Sequence, residues 1–281
     1  GAWKRLQITA GRSRSSRSRC IMPENPERIL LGALVLAGAA YLLFGLYLYL
    51  NQSRMIYYPG FAPARHDLDT ERFLIDGQRI RVHVMNPGKP AAVLYFGGNA
   101  EAVGYSAQRL SQALPEKTLY LVNYRGYGGS TGEPGEQAFY KDALHIHDAV
   151  RPRHEGVDVI GRSLGSAVAT WLAAERGIDR LVLVTPFDSL AGIAEEAFPL
   201  YPAGLLLRER YASAERAPRI DAQTLILVAG DDRIVPAASS RRLVEAFAPG
   251  SARVATIAGA GHNSLSEKDE YYRQLSDFLA R

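Results

Sequence analysis

Val157-Asp158-Val159-Ile160-Gly161-Arg162-Ser163-Leu164-Gly165 is the stretch on which the fold turns. A short β-rich apolar run feeds directly into G-x-S-x-G. Ser166-Ala167-Val168-Ala169-Thr170-Trp171-Leu172 then continues with helical character. Strand, tight turn and helix in that order are what a nucleophile elbow requires. The two glycines fit because the turn is strained and its flanking elements pack closely, so a Cβ at either position would crowd the neighbouring backbone. Such an elbow lifts Ser163 clear of the sheet, near the positive end of a helix, where developing negative charge is favoured.

A serine nucleophile needs a base, and the base needs an orienting acid, in the chain order Ser, acid, His for this type of sheet. Thr224 to Ala229 reads as a buried strand followed by Gly230-Asp231-Asp232-Arg233. Arg253 to Ile257 reads as the last strand, followed by Gly259-Ala260-Gly261-His262-Asn263. Parallel strands put all their carboxyl ends on one side, so Asp232 and His262 are expected beside Ser163. Asp232 would fix the imidazole tautomer and leave the other ring nitrogen free to take the serine proton. An Asp pair after a strand is also ordinary turn chemistry. Asp231, and Asp188 after the strand Leu181 to Val184, therefore stand as alternative acids. The other five histidines fit less well; His145 and His147 are two apart on an expected helix and point in different directions.

The oxyanion needs backbone donors. One expected donor is the N–H of Leu164, directly after the nucleophile. The second belongs to the loop after an early strand: Ala92 to Phe96 is that strand and Gly97-Gly98-Asn99-Ala100 that loop. The Asn99 N–H is the first choice and Gly98 the next.

Phe96-Gly97-Gly98-Asn99-Ala100-Glu101, the run Asn123-Tyr124-Arg125-Gly126-Tyr127-Gly128-Gly129-Ser130-Thr131-Gly132-Glu133-Pro134, and Gly161 to Ser166 together resemble the α/β-hydrolase superfamily. More narrowly, they resemble its membrane-anchored Bem46-like branch. The resemblance runs from about Gln52 to the C-terminus, and R-G-Y-G-x-S-x-G-x-P is its most specific part. One departure stands out: Gly97 occupies the place where that family carries His.

The alternation of apolar β-type runs (92–96, 118–123, 157–160, 181–184, 225–228, 254–257) with helical stretches such as 137–150 and 240–248 predicts a mostly parallel sheet flanked by helices. Phe73–Ile75 and Ile80–Met85 read as an antiparallel pair with its turn at Asp76-Gly77. Residues 186–218 are aromatic and Pro-broken, and read as a small lid whose apolar side chains (Phe187, Leu190, Phe198, Leu200, Tyr201, Leu205 to Leu207) are candidates for an acyl pocket.

Ile29 to Leu50 carries no charge over about 22 residues, enough for a helix to cross a hydrocarbon core of roughly 30 Å. No small-residue cleavage site follows, so a single uncleaved signal anchor is expected. Tyr47, Tyr49, Tyr57 and Tyr58 suit the downstream membrane interface. Residues 1–28 hold seven Lys/Arg against Glu24 and Glu27, about +5, whereas the whole chain is +4. The basic balance is thus the tail's property, and the domain from 52 to 281 has no nucleic-acid footprint. The Arg/Ser stretch from Gly11 to Arg19 has the composition of a disordered tail. The positive-inside rule puts the tail in the cytoplasm and the catalytic domain on the other side. Met22-Pro23-Glu24 has the form of an alternative start, which would leave only Arg28 and two glutamates on that side.

Cys20 is the one cysteine, so neither a disulfide framework nor a Cys-based metal site is expected. No phosphate-cradling glycine loop is present, and no organic cofactor and no metal are implied. These readings converge on a membrane-anchored serine hydrolase acting on small acyl or lipid-like esters or thioesters. A peptidase of the same fold, or a non-catalytic membrane scaffold, are the alternatives. Acyl length, head group and oligomeric state are not specified by the sequence.

Overall fold

In the computed structural model the described residues are 25–65 and 67–280. The basic tail, Cys20 and the alternative start at Met22 expected of residues 1–24, and His66, lie outside them.

Eight strands form one sheet in the order β1-β2-β4-β3-β5-β6-β7-β8. The leading hairpin is β1 (Thr70–Ile75) and β2 (Gln78–Met85), antiparallel, with its turn at Asp76-Gly77 in left-handed conformation. β2 lies antiparallel to β4 (Lys117–Val122). From there the sheet is parallel through β3 (Ala91–Phe96), β5 (Gly156–Arg162), β6 (Arg180–Val184), β7 (Gln223–Ala229) and β8 (Ala252–Ile257). The central strands are mostly apolar because both faces are covered, with the buried Asp158 of β5 paired to Lys117 of β4. On β3, Ala92, Leu94 and Phe96 enter one core, while Val93 and Tyr95 enter the other.

The helices are α1 (Pro26–Ile56), α2 (Ala107–Ala113), α3 (Glu136–Val150), α4 (Leu164–Glu175), α5 (Leu190–Ala197), α6 (Ala203–Leu206), α7 (Ser213–Arg216), α8 (Ala237–Ala246) and α9 (Asp269–Leu279). The segment 186–218 thus carries the three short helices α5 to α7. Phe187 is buried, whereas Leu200 and Leu205 are 79% and 87% exposed.

The described chain divides into two compact units at Tyr47/Leu48. α1 is long and apolar enough to cross a membrane. Its helix continues six residues past the apolar stretch, to Ile56, because polar residues such as Asn51 to Arg54 extend a helix whose backbone bonds are already propagating. Tyr57, assigned to the membrane interface by its position, is instead 4% exposed. Its hydroxyl bonds Glu209 (2.9 Å) and Tyr211 (2.7 Å), the partners a buried tyrosine hydroxyl requires.

Strand register places the site. Phe96 pairs with Gly161, Arg162 with Val184, Val184 with Leu227, and Ala229 with Ile257. The carboxyl ends of β3, β5, β6, β7 and β8 therefore lie along one sheet edge. The loops leaving that edge hold Gly98 and Asn99, Ser163, Asp188, Asp231 and Asp232, and His262.

Candidate active site

Ser163 forms the junction between β5 and α4 and has φ +50° and ψ −116°. A non-glycine residue there costs about 1–3 kcal/mol unless the surroundings enforce it. Here they do. A Cβ on Gly161 would run into the Gly165 carbonyl and Ala169, and one on Gly165 into the carbonyls of Phe96 and Gly97. Glycine at both positions allows β5, α4 and β3 to close on one another. The Ser163 N–H donates to the Val184 carbonyl at 2.8 Å, pinning the elbow to β6.

Three of the expected site residues meet in one hydrogen-bonded chain. His262 Nε2 lies 2.9 Å from Ser163 Oγ, and His262 Nδ1 lies 2.8 Å from Asp232 Oδ2. His262 is 6% exposed. The other Asp232 oxygen, Oδ1, accepts the N–H groups of Ile234 and Val235, both at 2.9 Å. Burial pushes the Asp232 carboxyl up, but the hydrogen bond from His262 and those two N–H groups outweigh it and hold its pKa below the usual carboxylate range. A carboxylate fixed on one oxygen presents the other to the imidazole in a defined direction.

The alternative acids lie elsewhere. Asp231 is exposed, and its N–H donates to the Ala260 carbonyl at 2.9 Å, a turn role. Asp188 accepts from Ser239 Oγ (2.5 Å) and Arg242 Nε (2.6 Å), tying the start of the 186–218 segment to α8. Of the other histidines, His83 bonds Thr70, His147 lies beside Asp148, and His154 bonds Tyr120 and the Lys89 carbonyl, while His145 is exposed.

On the oxyanion side, the Gly98 N–H donates to Glu101 Oε2 at 2.7 Å. It is therefore committed, which leaves the Asn99 N–H as the donor choice in that loop. Leu164, the first residue of α4, has no carbonyl one turn earlier in its own helix. Neither its N–H nor that of Asn99 bonds another backbone group among the described residues. An ideal Cβ on Gly98 would stand 3.6 Å from the Ser163 Cβ, so this loop lies against Ser163. Gly97 also has a local reason: a Cβ there would stand 2.5 Å from Val103 Cγ1, so a larger side chain cannot be placed without moving that core residue.

Two groups were not singled out by sequence reasoning. Glu101 accepts from Gly98 N–H, Tyr95 Oη (2.8 Å) and Ser106 Oγ (2.8 Å). Arg162 faces Glu101 at 3.4 Å and reaches the carbonyls of His262 (3.4 Å) and Asn263 (3.3 Å). Both side chains are nearly buried. Together they tie the Gly97–Ala100 loop, the elbow and the His262 loop into one unit. The signal was present in the quoted motifs, as a Glu after Gly-Gly-Asn-Ala and an Arg before Ser163. Nothing in spacing alone says that two such charges pair. Removing one member of a buried pair leaves the other uncompensated, so Glu101→Ala should lower unfolding stability by about 3–5 kcal/mol. Urea unfolding measures it; an unchanged midpoint and slope would contradict the pairing.

No protein-family model matches the chain. Among curated proteins it is 34% identical over 251 residues to an uncharacterized protein of Mycobacterium tuberculosis, covering 84% of this chain and 87% of that one. It is 30% identical to the mouse lysophosphatidylserine lipase ABHD12, over 68% of this chain and 56% of that protein. It is 26% identical to the protein bem46 of Schizosaccharomyces pombe, over 69% of each. Among solved structures, a meta-cleavage product hydrolase from Pseudomonas fluorescens superposes with a TM-score of 0.61 at 17% identity, covering 77% of this chain and 99% of that one. At that identity the structural likeness speaks for the fold, and the sequence relatives speak for the family. With its mostly parallel eight-stranded sheet and its serine elbow, the chain belongs to the α/β-hydrolase superfamily and, within it, to the Bem46-like branch.

Proposed function

We propose that this protein is a membrane-anchored serine hydrolase that cleaves carboxylic esters or thioesters of lipid-like substrates through Ser163, His262 and Asp232. The observation that carries this reading is the unbroken chain from Ser163 Oγ through both ring nitrogens of His262 to Asp232. His262 takes the hydroxyl proton as Ser163 Oγ bonds to the acyl carbon. The carbonyl oxygen becomes an oxyanion facing the N–H groups of Asn99 and Leu164. Collapse breaks the bond to the alcohol or thiol, which leaves with the proton from His262. Water then adds to the acyl-enzyme by the same route and frees the acid.

The lipid-like substrate class is supported by α1, which is long and apolar enough to cross a membrane, and by the likeness to a protein described as a lysophosphatidylserine lipase. The excess of Lys and Arg before α1 favours a catalytic domain on the non-cytoplasmic side. A peptidase reading has no particular residue to support it. A panel of p-nitrophenyl esters, acyl thioesters, lysophospholipids and aminoacyl amides, given to the full chain in detergent, tests the proposal. Hydrolysis is expected for the first three classes and negligible for amides, with Ser163→Ala as blank. Amide cleavage exceeding ester cleavage would transfer the assignment to a peptidase.

A further inference from the structure

The R-G-Y-G turn has no role in the chemistry above, yet it lies against the oxyanion loop. Tyr127, its aromatic residue, is 1% exposed. Its hydroxyl donates to Asn99 Oδ1 at 2.8 Å and accepts the Tyr58 N–H at 3.0 Å. That same N–H also approaches Asn99 Oδ1 at 3.3 Å. The Asn99 amide nitrogen donates to the Ile56 carbonyl, the last residue of α1. Further along, the Gly128 N–H donates to the Ala62 carbonyl at 2.9 Å. The few residues that leave α1 are thus bound on one side by the oxyanion loop and on the other by the R-G-Y-G turn.

The loop needs such a hold. Ala100, the next residue, has φ +61°, a conformation that a residue with a Cβ keeps only where its surroundings impose it. Both hydrogen-bonding ends of the Asn99 side chain are occupied, which holds its Cα against Ile56 and Tyr127 and so restrains the loop backbone. The N–H of that residue is the one assigned to the oxyanion. Tyr127 serves as a permanent donor because burial pushes its hydroxyl pKa up to about 12.

We infer that the Asn99 side chain and Tyr127 form a clamp that uses the last residue of α1 and the two that follow it, Ile56 to Tyr58, to hold the oxyanion loop in its working geometry. Both are positioning residues, and the stretch leaving α1 becomes part of the catalytic machinery. This inference rests on the hydrolase reading and adds to it a role for the residues that follow α1. It also gives the most specific motif of the chain a physical role, since Gly126 and Gly128, with φ +80° and +54°, shape the turn that carries Tyr127 to Asn99.

The test uses the full chain in detergent micelles, a short soluble p-nitrophenyl ester, an alkyl boronic acid as tetrahedral mimic and the matching alkyl ether as ground-state mimic. Asn99→Ala keeps the backbone N–H and removes the clamp. It should lower kcat about 10–100-fold, up to the lower end of what losing an oxyanion donor outright costs because the N–H is displaced and not removed, with KM and ether affinity nearly unchanged. Boronate affinity should fall in parallel with kcat. Tyr127→Phe should act in the same direction with a smaller effect, and Asn99→Asp should fail like Asn99→Ala because its carboxylate faces the Ile56 carbonyl.

Unchanged kcat and boronate affinity in folded Asn99→Ala and Tyr127→Phe proteins would overturn the clamp. So would losses shared equally by the ether, which a merely structural defect produces. Should Asn99→Ala not fold, Tyr127→Phe decides by the same comparison. A wild-type protein inert to both ester and boronate would remove the hydrolase reading itself, and the clamp with it.

Discussion

Ser163→Ala should lower kcat for a soluble ester by about 10⁶-fold, the scale seen when the nucleophile of a serine–histidine pair is removed. The fold should survive. Ser163 makes its backbone bond to Val184 whatever its side chain is, and the left-handed elbow is imposed by the close packing around Gly161 and Gly165. His262→Ala should lose nearly as much, because the two side chains act as one unit and neither supports the reaction without the other. Steady-state hydrolysis with a circular dichroism control measures both. A Ser163→Ala protein retaining even a tenth of wild-type turnover would place the nucleophile elsewhere.

Asp232→Asn carries the second large effect, about 10⁴-fold in kcat by the logic of a carboxylate that fixes an imidazole tautomer. The local geometry makes the expectation specific. The N–H groups of Ile234 and Val235 demand an acceptor at the Oδ1 position. An asparagine therefore keeps its carbonyl oxygen there and turns its NH₂ group toward His262 Nδ1. That nitrogen must then accept, which leaves the proton on Nε2, facing Ser163, where it cannot receive another. Asp231→Asn and Asp188→Asn should each change kcat by far less, since Asp231 is exposed and Asp188 is held by Ser239 and Arg242. Greater damage from either of these two would reassign the acid.

The sheet was legible because each buried parallel strand is a short, mostly apolar β-type run ended by turn residues. Val157 to Ile160 and Leu225 to Val228 could not serve elsewhere in a chain of this composition. The Ser163 elbow was legible for a different reason: its two glycines are required by close contacts, and such contacts leave a fixed spacing in the sequence. Helix ends were less clear. α8 starts at Ala237, three residues before the stretch read from its pattern, because Pro236 at its N-cap initiates it earlier than the apolar periodicity shows. The continuation of α1 to Ile56 was hidden for a similar reason, since apolar content marks where a bilayer ends and not where a helix does.

What spacing could not supply were pairings between distant segments. Glu101 with Arg162, Asn99 with Ile56 and Tyr127, and Tyr57 with Glu209 and Tyr211 join residues separated by up to about 150 positions. Each of these residues is unremarkable by type. Their roles come from which loops the strand order brings to one edge, and the short helices of 186–218 are likewise set by what they pack against.

The most direct measurement is covalent labelling with a fluorophosphonate, followed by mapping of the adduct on proteolytic peptides. The wild-type protein should carry one adduct, on Ser163, formed quickly because His262 raises the nucleophilicity of the hydroxyl. Labelling should vanish in Ser163→Ala and slow strongly in His262→Ala. An adduct mapped to another residue, or equal labelling of the His262→Ala protein, would contradict the assignment of Ser163, His262 and Asp232 as the reacting unit.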